Sequence, residues 1–156
     1  MKPSTRNFII LAALVIIDQL LKFWVSSARP SIDAGIFSLR YVTNTGASFG
    51  MLRDNNTALI FVSLMVLGII MMNVKHIQRK HELPMILIIS GLVGNLIDRI
   101  FRGFVVDFLD LHWWPVFNLA DSCIVIGAVW LAAAVLLEKD EKEDKSKKQS
   151  TEKKKR

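Results

Sequence analysis

Four short stretches of the chain place acidic and amide side chains among apolar neighbours: Asp18 with Lys22, Asn95 with Asp98 and Arg99, Asp107, and Asp121 three residues after Asn118. Paired carboxyl groups suit hydrolysis. Like charges a few ångströms apart cannot both ionise, so one group keeps its proton while the other stays a base. The base can then take a proton from water while the acid polarises a substrate carbonyl. Asp107 and Asp121 fit these roles, although the sequence alone does not show that they meet, and Asp98 and Asp110 compete with them. A zinc hydrolase would need a constellation such as two histidines four apart around a glutamate. His76 and His81 instead fall in a loop and His112 stands alone, so metal catalysis is disfavoured and neither a metal nor a cofactor is expected. A serine nucleophile needs an adjacent base. Ser48, Ser90 and Ser122 lie towards the same side, but the nearby Lys22 is already matched by Asp18, four residues away on the same helix face.

The elements that must position these groups are apolar blocks. The chain has 156 residues, 52% of them hydrophobic, which bounds it to one compact unit. Runs of 11, 20, 15 and 16 uncharged residues separate Arg6 from Asp18, Asp54 from Lys75, Glu82 from Asp98, and Asp121 from Glu138. Membrane helices need about 20 mostly apolar residues. We expect them at about 7–28, 56–75, 83–101 and 118–138. A soluble four-helix bundle would show a polar face on each helix, whereas Ala58–Met72 is broken only by Ser63 and Gly68. The first block also resembles a cleavable signal peptide, but Asp18 and Lys22 interrupt it. Net charge is +6, yet 9 of the 20 basic residues sit in the last 19 positions among 6 acidic ones, which is a solvated tail and not a nucleic-acid groove. The single cysteine, Cys123, excludes an intramolecular disulfide and Cys-rich zinc modules, and reads as a packing residue.

Basic residues in short flanking segments set orientation. Lys2 and Arg6, then Lys75, Arg79 and Lys80, then the tail all fall on one side, so both termini are expected in the cytoplasm, with 29–55 and 102–117 on the outer face. Ile36–Thr43 and Phe104–Leu109 are rich in β-formers and predict a small outer sheet, joined by Ala47–Phe49. The expected fold is therefore an all-α polytopic membrane protein, with four transmembrane helices and a small β-sheet on the extracytoplasmic face. Tyr41, Trp113 and Trp114 suit the membrane–water boundary. Asn118 is a helix N-cap after Pro115. Residues 1–137 form the membrane unit, and 138–156 a charged cytoplasmic tail expected to fray beyond its first turns. Ionisable groups inside a membrane span cost about 2.5–3.5 kcal/mol on insertion scales, which makes each a candidate for function. Plainer readings stand beside this one: Asp18–Lys22 as a structural pair, Asp121 as a complement to the helix dipole, and Asn44 with Gly46 as a simple turn. An ion-coupled carrier using Asp18 and Lys22, and a non-catalytic scaffold, stay open at this point.

Taken in order, the motifs resemble those of the lipoprotein signal peptidases, the signal peptidase II family, over nearly the whole chain to about Leu137. Asp18-Gln19-Leu20-Leu21-Lys22 resembles the first-helix motif, and Asn44-Thr45-Gly46-Ala47-Ser48-Phe49-Gly50 the outer loop. Gly94-Asn95-Leu96-Ile97-Asp98-Arg99 resembles the third-helix motif. Val105-Val106-Asp107-Phe108 and Phe117-Asn118-Leu119-Ala120-Asp121-Ser122 resemble the segments that carry the family's catalytic aspartates. Ser48 and Ser90 depart from the usual alanine and glycine. The resemblance implies an aspartic endopeptidase of the bacterial cytoplasmic membrane that cuts diacylglyceryl-modified prolipoproteins immediately before the lipidated cysteine. It implies Asp107 and Asp121 as the dyad, and Asn44, Gly46, Asn95, Arg99 and Asn118 as substrate-positioning or dyad-supporting residues. Asp18 and Lys22 would be a structural pair near the site. Membrane lipids are the surroundings and the cyclic peptide globomycin the expected inhibitor.

Overall fold

An apolar run in hydrocarbon must satisfy its own backbone N–H and C=O groups, so each of the four blocks closes into a helix. The computed structural model describes residues 4–46 and 55–154, with the backbone alone from residue 139 onward. The expected joining segment Ala47–Phe49, with Ser48 in it and Gly50 after it, lies outside the described residues. Helix α1 spans Thr5–Ala28, α2 Asn56–Asn73, α3 Glu82–Phe101 and α4 Leu119–Lys154. Two short 3-10 turns, Val74–His76 and Arg79–His81, connect α2 to α3. All four helices are long and apolar enough to cross a membrane, as the block pattern predicts. Arg29 ends α1 in the left-handed conformation, φ 44°, with its N–H on the Val25 carbonyl, and Pro30 prevents continuation. Asn55 opens α2 by accepting the Ala58 N–H at 3.1 Å.

Helix α3 is the packing centre and lies against α1, α2 and α4. Helix α2 buries Leu59 and Ser63, half-buries Ala58, Ile60, Val66, Leu67 and Ile70, and turns its remaining apolar surface outward. Phe61 and Met72 on α2 are 68% and 82% exposed, which suits lipid and not water. Close approach of α3 and α4 needs glycine. A Cβ built on Gly91 would strike the Ala120 carbonyl oxygen and lie 2.7 Å from Ile124 Cγ1. Gly91→Val is therefore expected to cost about 1–3 kcal/mol through overpacking, measured as a lower melting temperature in detergent; an unchanged melting temperature would contradict this packing.

A three-stranded antiparallel sheet in the order β1-β2-β3 caps one end of the bundle, with β1 at Ser31–Asp33, β2 at Ser38–Asn44 and β3 at Val105–Asp110. The strands expected at 36–43 and 104–109 match β2 and β3 to within two residues. Strand β1 escaped sequence reading because three residues carry no period. It forms because Gly35, at φ 80°, and its N–H bond to Asp33 Oδ1 fold the chain back onto β2. The register of β2 on β3 shifts between Leu39 and Val42, so Arg40 and Tyr41 oppose Phe108 alone. This bulge brings Val42 opposite Asp107. Val106 and Phe108 pack with Val25 of α1 in the core, and alternation along the strand sends Asp107 to the other face.

The opposite end of the bundle is tied by polar contacts. Asn7 Nδ2 donates to Glu82 Oε2 at 2.8 Å, and Glu138 meets both Lys80 and His81 at 2.7 Å. The expectation that the tail from Glu138 frays beyond its first turns is corrected: α4 continues as one helix to Lys154. Residues 138–156 contain no Gly or Pro, and Glu138, Glu141 and Glu143 precede Lys142, Lys145 and Lys147 by four, an order that supports an exposed helix.

Candidate active site

Where β3, the end of α3 and the start of α4 converge, polar side chains line a cavity of about 710 Å³. Asp107 and Asp121 both contribute to its wall, and Asn118, buried behind it, bonds to both. Asn118 is fully buried and caps α4: its Oδ1 accepts the Asp121 N–H at 2.9 Å, while its own backbone N–H donates to Asp121 Oδ2 at 3.2 Å. This reciprocal arrangement satisfies two otherwise free donors. It requires the chain between β3 and α4 to double back. Backbone bonds between Leu109 and Phe117 enforce that return, with Phe117 N to Leu109 O at 3.0 Å and Leu109 N to Phe117 O at 2.8 Å. The cap residue then lies against β3, and Asn118 Nδ2 donates to Asp107 Oδ1 at 2.7 Å.

The second Asp107 oxygen accepts from Asn44 Nδ2 at 2.8 Å. Asn44 is held by its own turn, since its Oδ1 accepts the Gly46 N–H at 2.9 Å. The plain turn reading of Asn44 and Gly46 is thus part of the geometry, and the turn aims the amide at Asp107. Asp107 is 2% exposed. Burial, and then the negative charge of Asp121, push its carboxyl up to about 7, against hydrogen bonds from Asn44 and Asn118 that favour the anion. Asp121 is partly exposed at the N-terminus of α4, where the helix dipole favours negative charge. Its Oδ1 accepts from Asn95 Nδ2 at 2.8 Å.

Arg99 also lines the cavity, with its guanidinium 3.5 Å from the Gly46 carbonyl oxygen and its Nε buried without a hydrogen-bond partner among the described residues. The Arg99 carbonyl accepts from Asn56 Nδ2 at 3.0 Å, which fixes the end of α3 to the start of α2. Asp18 and Lys22 do pair, at 2.8 Å, but Lys22 also meets Asp98 Oδ2 at 3.1 Å and donates to Asn95 Oδ1 at 2.9 Å. Sequence reading treated Asp18–Lys22 as self-contained and missed Asp98 as a third partner. The three-residue interval between Asn95 and Asp98, which puts both on one helix face, is the signal that could have found it. Trp113 and Trp114, read only as boundary aromatics, also form cavity wall.

The competing groups are engaged elsewhere. Asp110 pairs with Arg40 at 2.8 Å at the far end of β3. Asp98 accepts the Val106 N–H at 3.2 Å. Ser90 donates to the Leu87 carbonyl and Ser122 to the Asn118 carbonyl, at 2.8 and 3.1 Å. Lys22 is 0% and Asp18 2% exposed, which leaves a carrier no accessible ion site at this pair.

Residues 10–137 match the family described as Signal peptidase (SPase) II. The chain is 43% identical over 134 residues to a lipoprotein signal peptidase of Syntrophomonas wolfei, an alignment covering 80% of this chain and 89% of that one. It is 43% identical over 138 residues to a lipoprotein signal peptidase of Clostridioides difficile, covering 82% and 93%. Against the lipoprotein signal peptidase of Geobacter sulfurreducens it is 39% identical over 160 residues, covering 91% and 99%. A solved bacterial membrane enzyme superposes with a TM-score of 0.82 at 26% identity, covering 88% of this chain and 91% of that chain. A second solved bacterial membrane enzyme gives 0.74 at 26% identity, covering 84% and 92%.

Proposed function

The chain belongs to the signal peptidase II family, and from that premise we propose that it is an aspartic endopeptidase acting through Asp107 and Asp121. Its substrates are diacylglyceryl-modified prolipoproteins, cut immediately before the lipidated cysteine to release the signal peptide. The observation that carries this reading is the pairing of two carboxyl groups through Asn118 in one cavity, with the buried one titrating near neutrality.

Asp107 holds the shared proton, because its site penalises the charge. Asp121 is the base, because the start of α4 favours the anion. Asp121 takes a proton from water as the oxygen attacks the scissile carbonyl carbon, while Asp107 gives its proton to the carbonyl oxygen. The tetrahedral diol then collapses: Asp121 gives its proton to the leaving amide nitrogen, Asp107 takes back a proton from a diol hydroxyl, and the C–N bond breaks. Asn44, Gly46, Asn95, Arg99 and Asn118 hold the dyad and the extended peptide. The chain of β2 leading into Asn44 offers backbone for strand addition. Val125 and Ile126 of α4, 57% and 56% exposed beside the cavity, offer the apolar surface that acyl chains need.

The basic residues of the α2–α3 connection and the tail gather at the bundle end opposite the dyad, which supports cytoplasmic termini and a site facing outward in the bacterial cytoplasmic membrane. Residues 1–137 form the peptidase unit and 138–156 its charged tail, whose described part to Lys154 extends the last helix.

The test is mass spectrometry of a diacylglyceryl-modified precursor incubated with the purified protein. A new N-terminus at the lipidated cysteine, lost when globomycin is added, is the expected result; an intact precursor would end the reading. The pH dependence follows from the same assignment. Asp107 is protonated below about 7 and loses its proton above, so kcat/KM should fall roughly tenfold per unit as pH rises beyond about 7. A rate that climbs through pH 7 and stays high would reverse the roles of the two aspartates.

A further inference from the structure

An ammonium group has three donors and no acceptor. Lys22 is fully buried, and its Nζ has three acceptors: Asp18 Oδ2 at 2.8 Å, Asp98 Oδ2 at 3.1 Å and Asn95 Oδ1 at 2.9 Å. With all three protons committed, it has no lone pair for proton transfer. The third bond leads to the dyad. An Asn amide is polar at both ends with opposite sense, and only its oxygen can face a cation that donates. The Asn95 NH2 must then point the other way, where it meets Asp121 Oδ1 at 2.8 Å. Asn95 Oδ1 also accepts from Asn118 Nδ2 at 3.2 Å, and the same NH2 donates to Asp107 Oδ1 at 2.7 Å. One buried cation therefore orients two amides, and both carboxyl groups receive N–H donors. A flipped Asn95 would set donor against donor at Lys22, leaving a buried group unsatisfied.

The two acids that hold Lys22 are themselves anchored beside the dyad. Asp18 Oδ1 accepts the N–H of Ala120, the residue before Asp121, at 2.9 Å. Asp98 Oδ2 accepts the N–H of Val106, the residue before Asp107, at 3.2 Å. The cation is thus tied to both segments that carry the aspartates. Building on the proteolytic reading above, we propose that Lys22 is a positioning residue: by binding the Asn95 oxygen it locks the Asn95 and Asn118 amides with their NH2 groups towards Asp121 and Asp107.

Removing Lys22 alone would leave buried Asp18 without a cation and Asp98 with Arg102 alone, at 3.5 Å, so the informative comparison is Lys22→Met with Asp98→Asn against Asp98→Asn alone. The double variant removes one positive and one negative charge and keeps the cluster's balance. Relative to the single variant, kcat for a lipidated precursor should fall at least about tenfold with KM within about twofold, the pattern of a group acting only on the transition state. The double variant keeps a buried Asp18 without its cation and should melt below the single variant, so kcat is compared at a temperature at which both are folded. Equal kcat in both variants would overturn the proposal. A second measurement uses the parent protein and needs neither turnover nor a variant. In protein labelled at asparagine, the Asn95 side-chain amide protons should show nuclear Overhauser contacts to the Asp121 β-protons and none to the Lys22 ε-protons. The reverse pattern would overturn the proposal even if cleavage proceeds normally, and the expected pattern would sustain the amide assignment even if the chain cut no peptide.

Discussion

Asp107→Asn and Asp121→Asn each reduce cleavage of a lipidated prolipoprotein by roughly 10²–10⁴-fold, the contribution of a positioned acid or base. Asparagine keeps the shape of the side chain and removes proton exchange. Asp107→Asn should leave the protein folded but cost about 1–3 kcal/mol, because its new NH2 faces the Asn44 or the Asn118 donor in a buried site. Asp121→Asn should be less stable than the parent by about 0.3–1 kcal/mol, since it removes an anion from the first turn of α4. The double variant should be no slower than the slower single variant, because residues that act as a unit are not additive. Turnover assays with melting curves on the three proteins decide this, and more than a tenth of parent activity in either folded single variant would remove the dyad from the mechanism.

Asn118→Ala has the second largest effect, because that side chain has three duties. It caps α4 through Asp121 N, donates to Asp107 and donates to Asn95. Loss of the cap should cost about 1 kcal/mol of stability. Loss of a buried donor to the dyad should cost roughly 1–3 kcal/mol, or about 10–100-fold in kcat. The sign of the pH effect is fixed by the bond that is lost. Asn118 stabilises the Asp107 anion, so without it the carboxyl binds its proton more tightly and the alkaline decline starts above the parent value of about 7. Asn118→Ser retains a capping oxygen and should recover the stability but not the turnover. Parent turnover and an unmoved pH profile in Asn118→Ala would show that Asn118 serves α4 alone.

Much of the fold was legible because its cause is local. An all-round apolar stretch such as Ala58–Met72 has one structural answer in a bilayer, and the helix it implies needs no knowledge of what packs beside it. Strands β2 and β3 were legible for the same reason, from β-formers bounded by turn residues. Strand β1 was not, because Ser31–Asp33 is a strand only by virtue of pairing with Ser38–Arg40. The helical tail was misread because its charge run suggested disorder, while the four-residue spacing of its acids and bases favours a helix.

The chemistry-bearing residue types and their share of one bundle end were legible too, since a charge in a membrane span is too costly to be incidental. Which of them meet was not. Asp107 and Asp121 are brought together by the bulge opposite Phe108, the Leu109–Phe117 return and the cap at Asn118, all of which depend on pairing between distant segments. Lys22 reaches Asn95 and Asp98 only because α1 packs on α3, where Gly94 leaves room for the Asp18 carboxyl. The amino-acid sequence by itself determined four membrane helices, a capping sheet and the identity of the polar side chains near it, because periodicity and solvation act on neighbours along the chain. Tertiary structure alone decided the hydrogen-bond partners of those side chains, because a one-residue change in register or one added methyl group at a helix contact redirects them.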